Sequence, residues 1–127
     1  MMVSIVDVRD IAAVAVKALT DDDRDNRYIN EAYLITGPEA LSYYQGAEIL
    51  SKATVKKIDY VNVSDEEARG AIKGIGMNDW LINKISDLYT YFRKGYALQV
   101  SSAVEEVTEK KPITFAQFAE DYAEAFR

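Results

Sequence analysis

The sequence predicts an α/β fold of about three short strands with five to six helices. Three observations predict it. Short runs rich in β-branched and aromatic residues lie in the first half of the chain. Capping boxes, in which Ser or Thr is followed three positions later by Glu or Gln, mark helix starts at Ser42, Ser64, Ser102 and Thr114. Apolar residues then recur at helical spacing through the second half. Strands alternating with helices, followed by helices alone, describe an α/β or α+β unit.

The elements follow in order. Val3-Ser4-Ile5-Val6 is a short β-rich run. A helix follows it, with Asp7 or Asp10 as its cap and Ile11, Val14, Ala15, Ala18 and Leu19 on one stripe. Asp21-Asp22-Asp23-Arg24-Asp25 reads as a solvated loop, because it lacks the spaced Asp, Gly and Glu ligands of a calcium loop. Ala32-Tyr33-Leu34-Ile35-Thr36 reads as a buried strand that leaves through Gly37-Pro38. The Ser42/Gln45 box opens a helix to about residue 53, and the alternating residues 56–63 read as a third strand. The Ser64/Glu67 box opens a short helix that closes at the glycine cluster Gly70, Gly74 and Gly76. The longest helical pattern spans about 78–95, with Leu81, Ile85, Leu88, Tyr89, Phe92 and Tyr96 on one stripe. Trp80, Lys84, Asp87 and Tyr91 form an adjacent face that reads as a wide core face or a pocket border. The Ser102/Glu105 box starts a small helix. The last helix, from the Thr114/Gln117 box, repeats Phe115, Phe118, Ala119, Tyr122, Ala123 and Phe126 and must dock on another element.

Composition bounds the function. At 127 residues, residues 1–127 are read as a single domain able to bury a real core. A hydrophobic share of 49% and a charged share of 28% argue against disorder. The net charge of -6, without clustered Lys and Arg, speaks against nucleic-acid binding. The absence of Cys and His removes thiolate or imidazole metal sites, thiol nucleophiles and His-dependent triads. Any general acid or base is therefore Asp, Glu, Lys or Tyr. No apolar stretch approaches the roughly 20 residues that span a membrane, and the expected setting is the cytoplasm.

Catalytic patterns are missing in a specific way. A dinucleotide site needs a Gly-rich turn that opens a helix, yet Gly70, Gly74 and Gly76 close one. None of the nine tyrosines has a Lys four positions on. Tyr89 has Arg93 there instead, and Arg stays charged too firmly to relay protons. Paired carboxylates such as Glu66-Glu67 and Glu105-Glu106 read as solvated helix starts.

The order of motifs resembles the second half of NmrA-like, atypical short-chain dehydrogenases/reductases. Val6-Asp7-Val8-Arg9-Asp10-Ile11-Ala12 resembles that family's strand-to-helix junction, and Ile35-Thr36-Gly37-Pro38-Glu39-Ala40-Leu41-Ser42 the segment after it. Lys57 to Ser64 resembles the next strand. Trp80-Leu81, Tyr89 to Tyr96 and Pro112-Ile113-Thr114-Phe115 resemble the terminal helices. The resemblance implies the C-terminal part of a Rossmann-like fold: a substrate-side lobe without the N-terminal dinucleotide-binding half. It implies NAD(P) in the complete fold, with none bound by this chain alone, and no catalytic residue here. Trp80, Leu81, Tyr89 and Phe92 are the implied substrate-side residues, and Asp7 and Asp10 are implied structural caps. The expected role is the substrate-binding segment of an NAD(P)-dependent oxidoreductase, quinone- or azo-reductase-like or sugar-epimerase-like, silent alone. The alternative is a non-enzymatic regulatory or oligomerisation module. Expected partners are a small-molecule substrate and either further copies of the chain or a missing cofactor-binding half. The pattern departs at Val55 and Glu109, where similar chains place a helix-ending Gly.

Overall fold

The computed structural model describes residues 1–21 and 27–127. Most of the acidic run, Asp22 to Asp25, therefore lies outside the described residues. The elements are β1 (Met2–Val3), α1 (Val8–Thr20), β2 (Leu41–Ser42), α2 (Tyr43–Thr54), α3 (Asp65–Gly74), α4 (Asp79–Arg93), α5 (Ala103–Thr108) and α6 (Phe115–Asp121). A 3-10 turn, Ala123–Phe126, follows α6. No helix among the described residues is long and apolar enough to cross a membrane.

Helix starts follow the sequence closely. Asp7 caps α1 by accepting the Arg9 amide at 2.8 Å. Ser42 and Ser64 each form a full reciprocal box, with Gln45 and Glu67. Asn78 caps α4 and Thr114 caps α6. The expected box at Ser102 does not form. Its hydroxyl donates to Glu106 instead, at 2.7 Å, and its own backbone is not extended, so the α5 amides are out of its reach. Gln117 also turns away from its cap and donates to Asp121 at 2.8 Å.

Against three expected strands, the described residues show two pairing segments. Among the described residues there is one two-stranded antiparallel sheet, which pairs Met2 with Ser42 and Val3 with Leu41. Residues 32–36 and 56–63, expected as strands, have no ladder. A strand exists only in a ladder with a partner, and among the described residues neither segment pairs its backbone in one. Side chains hold them in place. Ser101 donates its amide to Thr36 Oγ1 at 2.9 Å and its hydroxyl to the Leu34 carbonyl. The Ser51 hydroxyl accepts the Ile58 amide at 2.9 Å and donates to the Ile58 carbonyl at 3.0 Å.

Two packing centres result. In the first, α1 lies on α5, and Val14, Val104 and Val107 form the buried cluster, with Tyr28 and Ile35 against it. In the second, α6 and the 3-10 turn pack on α2 through the small buried residues Ala119 and Ala123. The aromatic face of the last helix thus docks as its period requires. Its rings run Phe115, Phe118, Tyr122 at 5.7 and 5.2 Å.

Polar side chains tie the two centres together. Arg9 pairs with the buried Asp7 and with Asp121, both at 2.8 Å, and its guanidinium lies 5.2 Å over the Tyr122 ring. That pairing holds the Asp7 carboxyl below its ordinary value. Buried Asp10 accepts the Ile113 amide at 2.8 Å and so anchors the approach to α6. Gly37 is required for a different reason. A Cβ there would sit 1.8 Å from the Ile5 carbonyl oxygen, because the two backbone segments touch directly.

Candidate functional site

The larger cavity, about 470 Å³, lies between the start of α2, residues 60–63, α3 and the second half of α4. That volume suits a small-molecule ligand. Local chemistry sets each wall. The Ser42 box starts α2 and so fixes Tyr43 and Tyr44 at its first turn. Ser51 pins Ile58, which brings Tyr60 back onto them. Tyr43 and Tyr60 stack at 5.4 Å with 20° between planes, and Tyr44 meets Tyr60 edge-on at 4.8 Å. The Ser64 box starts α3 and places Asp65 at its first residue. Tyr89 and Arg93, four apart on α4, complete the opposite wall.

The electrostatics are simple. Arg93 forms a bidentate pair with Asp65, at 2.7 and 3.0 Å. Burial pushes the Tyr43 phenol above its ordinary value, and the Tyr89 and Tyr60 phenols beside it add to the rise. Tyr43 therefore stays a neutral O–H donor at physiological pH. A second cavity, of about 380 Å³, shares Tyr43 and Tyr60 but is lined mainly by Val3, Ile5, Leu50, Ile58 and Phe115. It offers little to orient a ligand.

The residues expected on the substrate side separate here. Tyr89 lines the larger cavity. Phe92 stands behind it, its ring 6.3 Å from Tyr89 in an edge contact. Trp80 and Leu81 lie at the other end of α4 and line neither cavity, and Trp80 is 68% exposed. Tyr43, Tyr60, Asp65 and Arg93 were not among the expected site residues. The signal for Tyr43 was its place just after a capping box. No sequence pattern joined it to Tyr60, because that contact depends on how residues 56–63 return.

Among the described residues there is no cluster of acidic side chains able to hold a metal ion. Comparison with known proteins then bears on the family. Protein-family models give no match. The chain is 41% identical over 124 residues to an NAD(P)H azoreductase of Xenophilus azovorans, covering 98% of this chain and 42% of that protein. It is 31% identical to the oxidoreductase YesF of Bacillus subtilis, over 93% of this chain and 40% of that one. Among solved structures, an NADPH-dependent quinone oxidoreductase of Escherichia coli superposes with a TM-score of 0.81 at 21% identity, over 99% of this chain and 43% of its own. A nucleoside-diphosphate-sugar epimerase of Staphylococcus aureus does so with 0.79 at 20%, over 94% and 40%. Over nearly its whole length the chain is similar to NmrA-like NAD(P)-binding reductases. It corresponds to their C-terminal portion and spans about 40% of the length of the relatives it matches.

Within this chain, the glycine cluster does not fit a dinucleotide. Gly70 and Gly74 lie in the second half of α3, and Gly76, at φ 90°, follows its end. The end of a helix presents carbonyls and the negative pole of its dipole, which repel a phosphate. Tyr89 and Arg93 do not form a tyrosine–lysine type of proton relay either, since the position four after Tyr89 is a guanidinium engaged by Asp65.

Proposed function

We propose that this chain is the substrate-binding segment of an NAD(P)-dependent oxidoreductase and is silent by itself. The single observation behind the proposal is the tyrosine-walled cavity, set in a segment that matches reductases over nearly its whole length. In the complete protein the nicotinamide supplies the hydride. This segment supplies the substrate's surroundings: the Tyr43 and Tyr60 rings as a wall, Tyr89 opposite, and Phe92 behind Tyr89. Leu81 belongs to the Tyr89 stripe at the far end of α4, and Trp80 beside it is proposed as the outer border.

The exposed apolar face of α1 also supports the proposal. Val8, Ile11, Val16 and Leu19 are open to solvent, an arrangement that favours burial against another surface. We assign that surface to the cofactor-binding half, with a second copy of the chain as the competing occupant.

The test has two arms. The purified chain, given NADPH and a quinone or azo acceptor, is expected to show no turnover. A chimera carrying the azoreductase's cofactor-binding portion ahead of this chain is expected to reduce the acceptor, and Tyr43→Ala in it to raise KM. Turnover by the chain alone, or a folded chimera with none, would overturn the reading.

A further inference from the structure

We propose that Asp65 and Arg93 act as a charge filter, so that the cavity admits a flat, uncharged ring bearing a hydrogen-bond acceptor and turns anionic rings away. The inference rests on the reading of this cavity as the substrate site.

Three observations carry it. First, Asp65 and Arg93 are the two charged side chains that line the cavity. Among the described residues, the one cationic side chain in the wall is therefore already engaged by a carboxylate, through both of its terminal nitrogens. Arg93 Nη2 also reaches Thr90 Oγ1 at 3.3 Å. An incoming anion must displace Asp65 or accept its repulsion, and the chain's net charge of -6 adds to that repulsion at low salt. Second, the rest of the wall suits a ring. The tyrosines provide flat faces, and Ala68, Ala71 and Ile72 provide an apolar side. Third, among the described residues the hydroxyls of Tyr43, Tyr60 and Tyr89 make no hydrogen bond to protein. They are free to donate to a carbonyl or similar acceptor on the ring.

Asp65 is thus a specificity residue and takes no part in chemistry. Its carboxylate also joins the start of α3 to the end of α4, so a variant there must be separated from a packing effect. Asp65→Asn keeps the shape and removes the charge. Arg93→Gln removes the cation.

Calorimetric titration of the full chain with 2-acetylnaphthalene and 2-naphthoate tests the proposal, since the two probes share a ring and differ in charge. The unaltered chain should bind the ketone and bind the carboxylate at least about tenfold more weakly, the scale of a charge-assisted hydrogen bond. D65N should bind the carboxylate about tenfold more tightly than the unaltered chain does and hold the ketone within about twofold. The double variant D65N/R93Q should lose that gain. Ketone binding with no gain for the carboxylate in D65N overturns the filter and leaves the cavity's assignment standing. A gain that persists in the double variant also overturns it, because Arg93 then plays no part. Binding of neither probe by the unaltered chain overturns the assignment of the cavity itself.

Discussion

The two faces of α1 carry similar residues and meet different fates. On the inner face Val14 is buried with Val104 and Val107, and Asp10 is buried with its carboxylate on the Ile113 amide. On the outer face Val8, Ile11, Val16 and Leu19 are as apolar, yet Leu19 is 85% exposed. Hydrophobic burial near 25 cal/mol per Å² acts only where a second surface exists. The contrast teaches that one helix can carry two kinds of apolar residue, those whose contacts close within the described residues and those whose contacts do not. The unpaired residues 32–36 belong with the second kind, as exposed Leu34 shows.

The contrast can be broken most strongly where backbone meets backbone on the inner side. Gly37→Ala puts a methyl carbon into the Ile5 carbonyl. The expected loss is about 3 kcal/mol or more, the upper range for overpacking, measured by urea unfolding. A loss below about 1 kcal/mol would mean that the two segments separate easily. Next in size is a matched pair on the inner and outer faces. Val104→Ala should cost about 2 kcal/mol, by lost burial and the cavity left. Leu19→Ala should stay within about 0.5 kcal/mol, as exposed substitutions do. Equal losses would show that the outer face is already covered in solution, by a second copy.

Acid should sharpen the contrast at the inner end of the helix. The hydrogen bonds from Arg9 lower the Asp7 carboxyl below 3.8. Asp121 is lowered by Gln117 first and by Arg9 second. For both, the unfolded chain binds more protons than the folded one just below the ordinary carboxylate value. Their contribution to stability is therefore full above about pH 4 and is lost as pH falls through the lowered folded values. Arg9→Met should flatten the fall in stability below pH 4, seen in urea midpoints taken between pH 5 and 2. An unchanged slope would detach Arg9 from the effect.

How much of this was legible follows the same division. The caps at Asp7, Ser42, Ser64 and Thr114 and the docking face of α6 depend on neighbours a few residues away, so the sequence displays them. Residues 32–36 and 56–63 have strand composition, but pairing depends on a partner that composition does not contain. Their side chains take over instead, through Ser101 and Ser51. The site divides likewise. Tyr89 was visible as part of a helical stripe. Its opposite wall, Tyr43 on Tyr60, rests on a long return of the chain, and the Asp65–Arg93 pair joins residues 28 positions apart.

Helix ends supply the smallest effect and a last comparison, since they are less well chosen than the starts. Val55 ends α2 at φ 53°, ψ 35°, and Glu109 ends α5 at φ 60°, ψ 18°. Both stand in the left-handed region, where an L-residue costs roughly 1–2 kcal/mol and a β-branched one is worst placed. The Val55 side chain is 88% exposed, so removing it forfeits almost no packing. Glycine adds unfolded-state entropy of about 0.5–1 kcal/mol against the change. The balance favours Val55→Gly by about 1 kcal/mol, with a smaller gain for Glu109→Gly because Glu is not branched at Cβ. Thermal midpoints of the two variants check the order. If Val55→Gly destabilises the chain, Val55 is held by a contact that its exposure does not show.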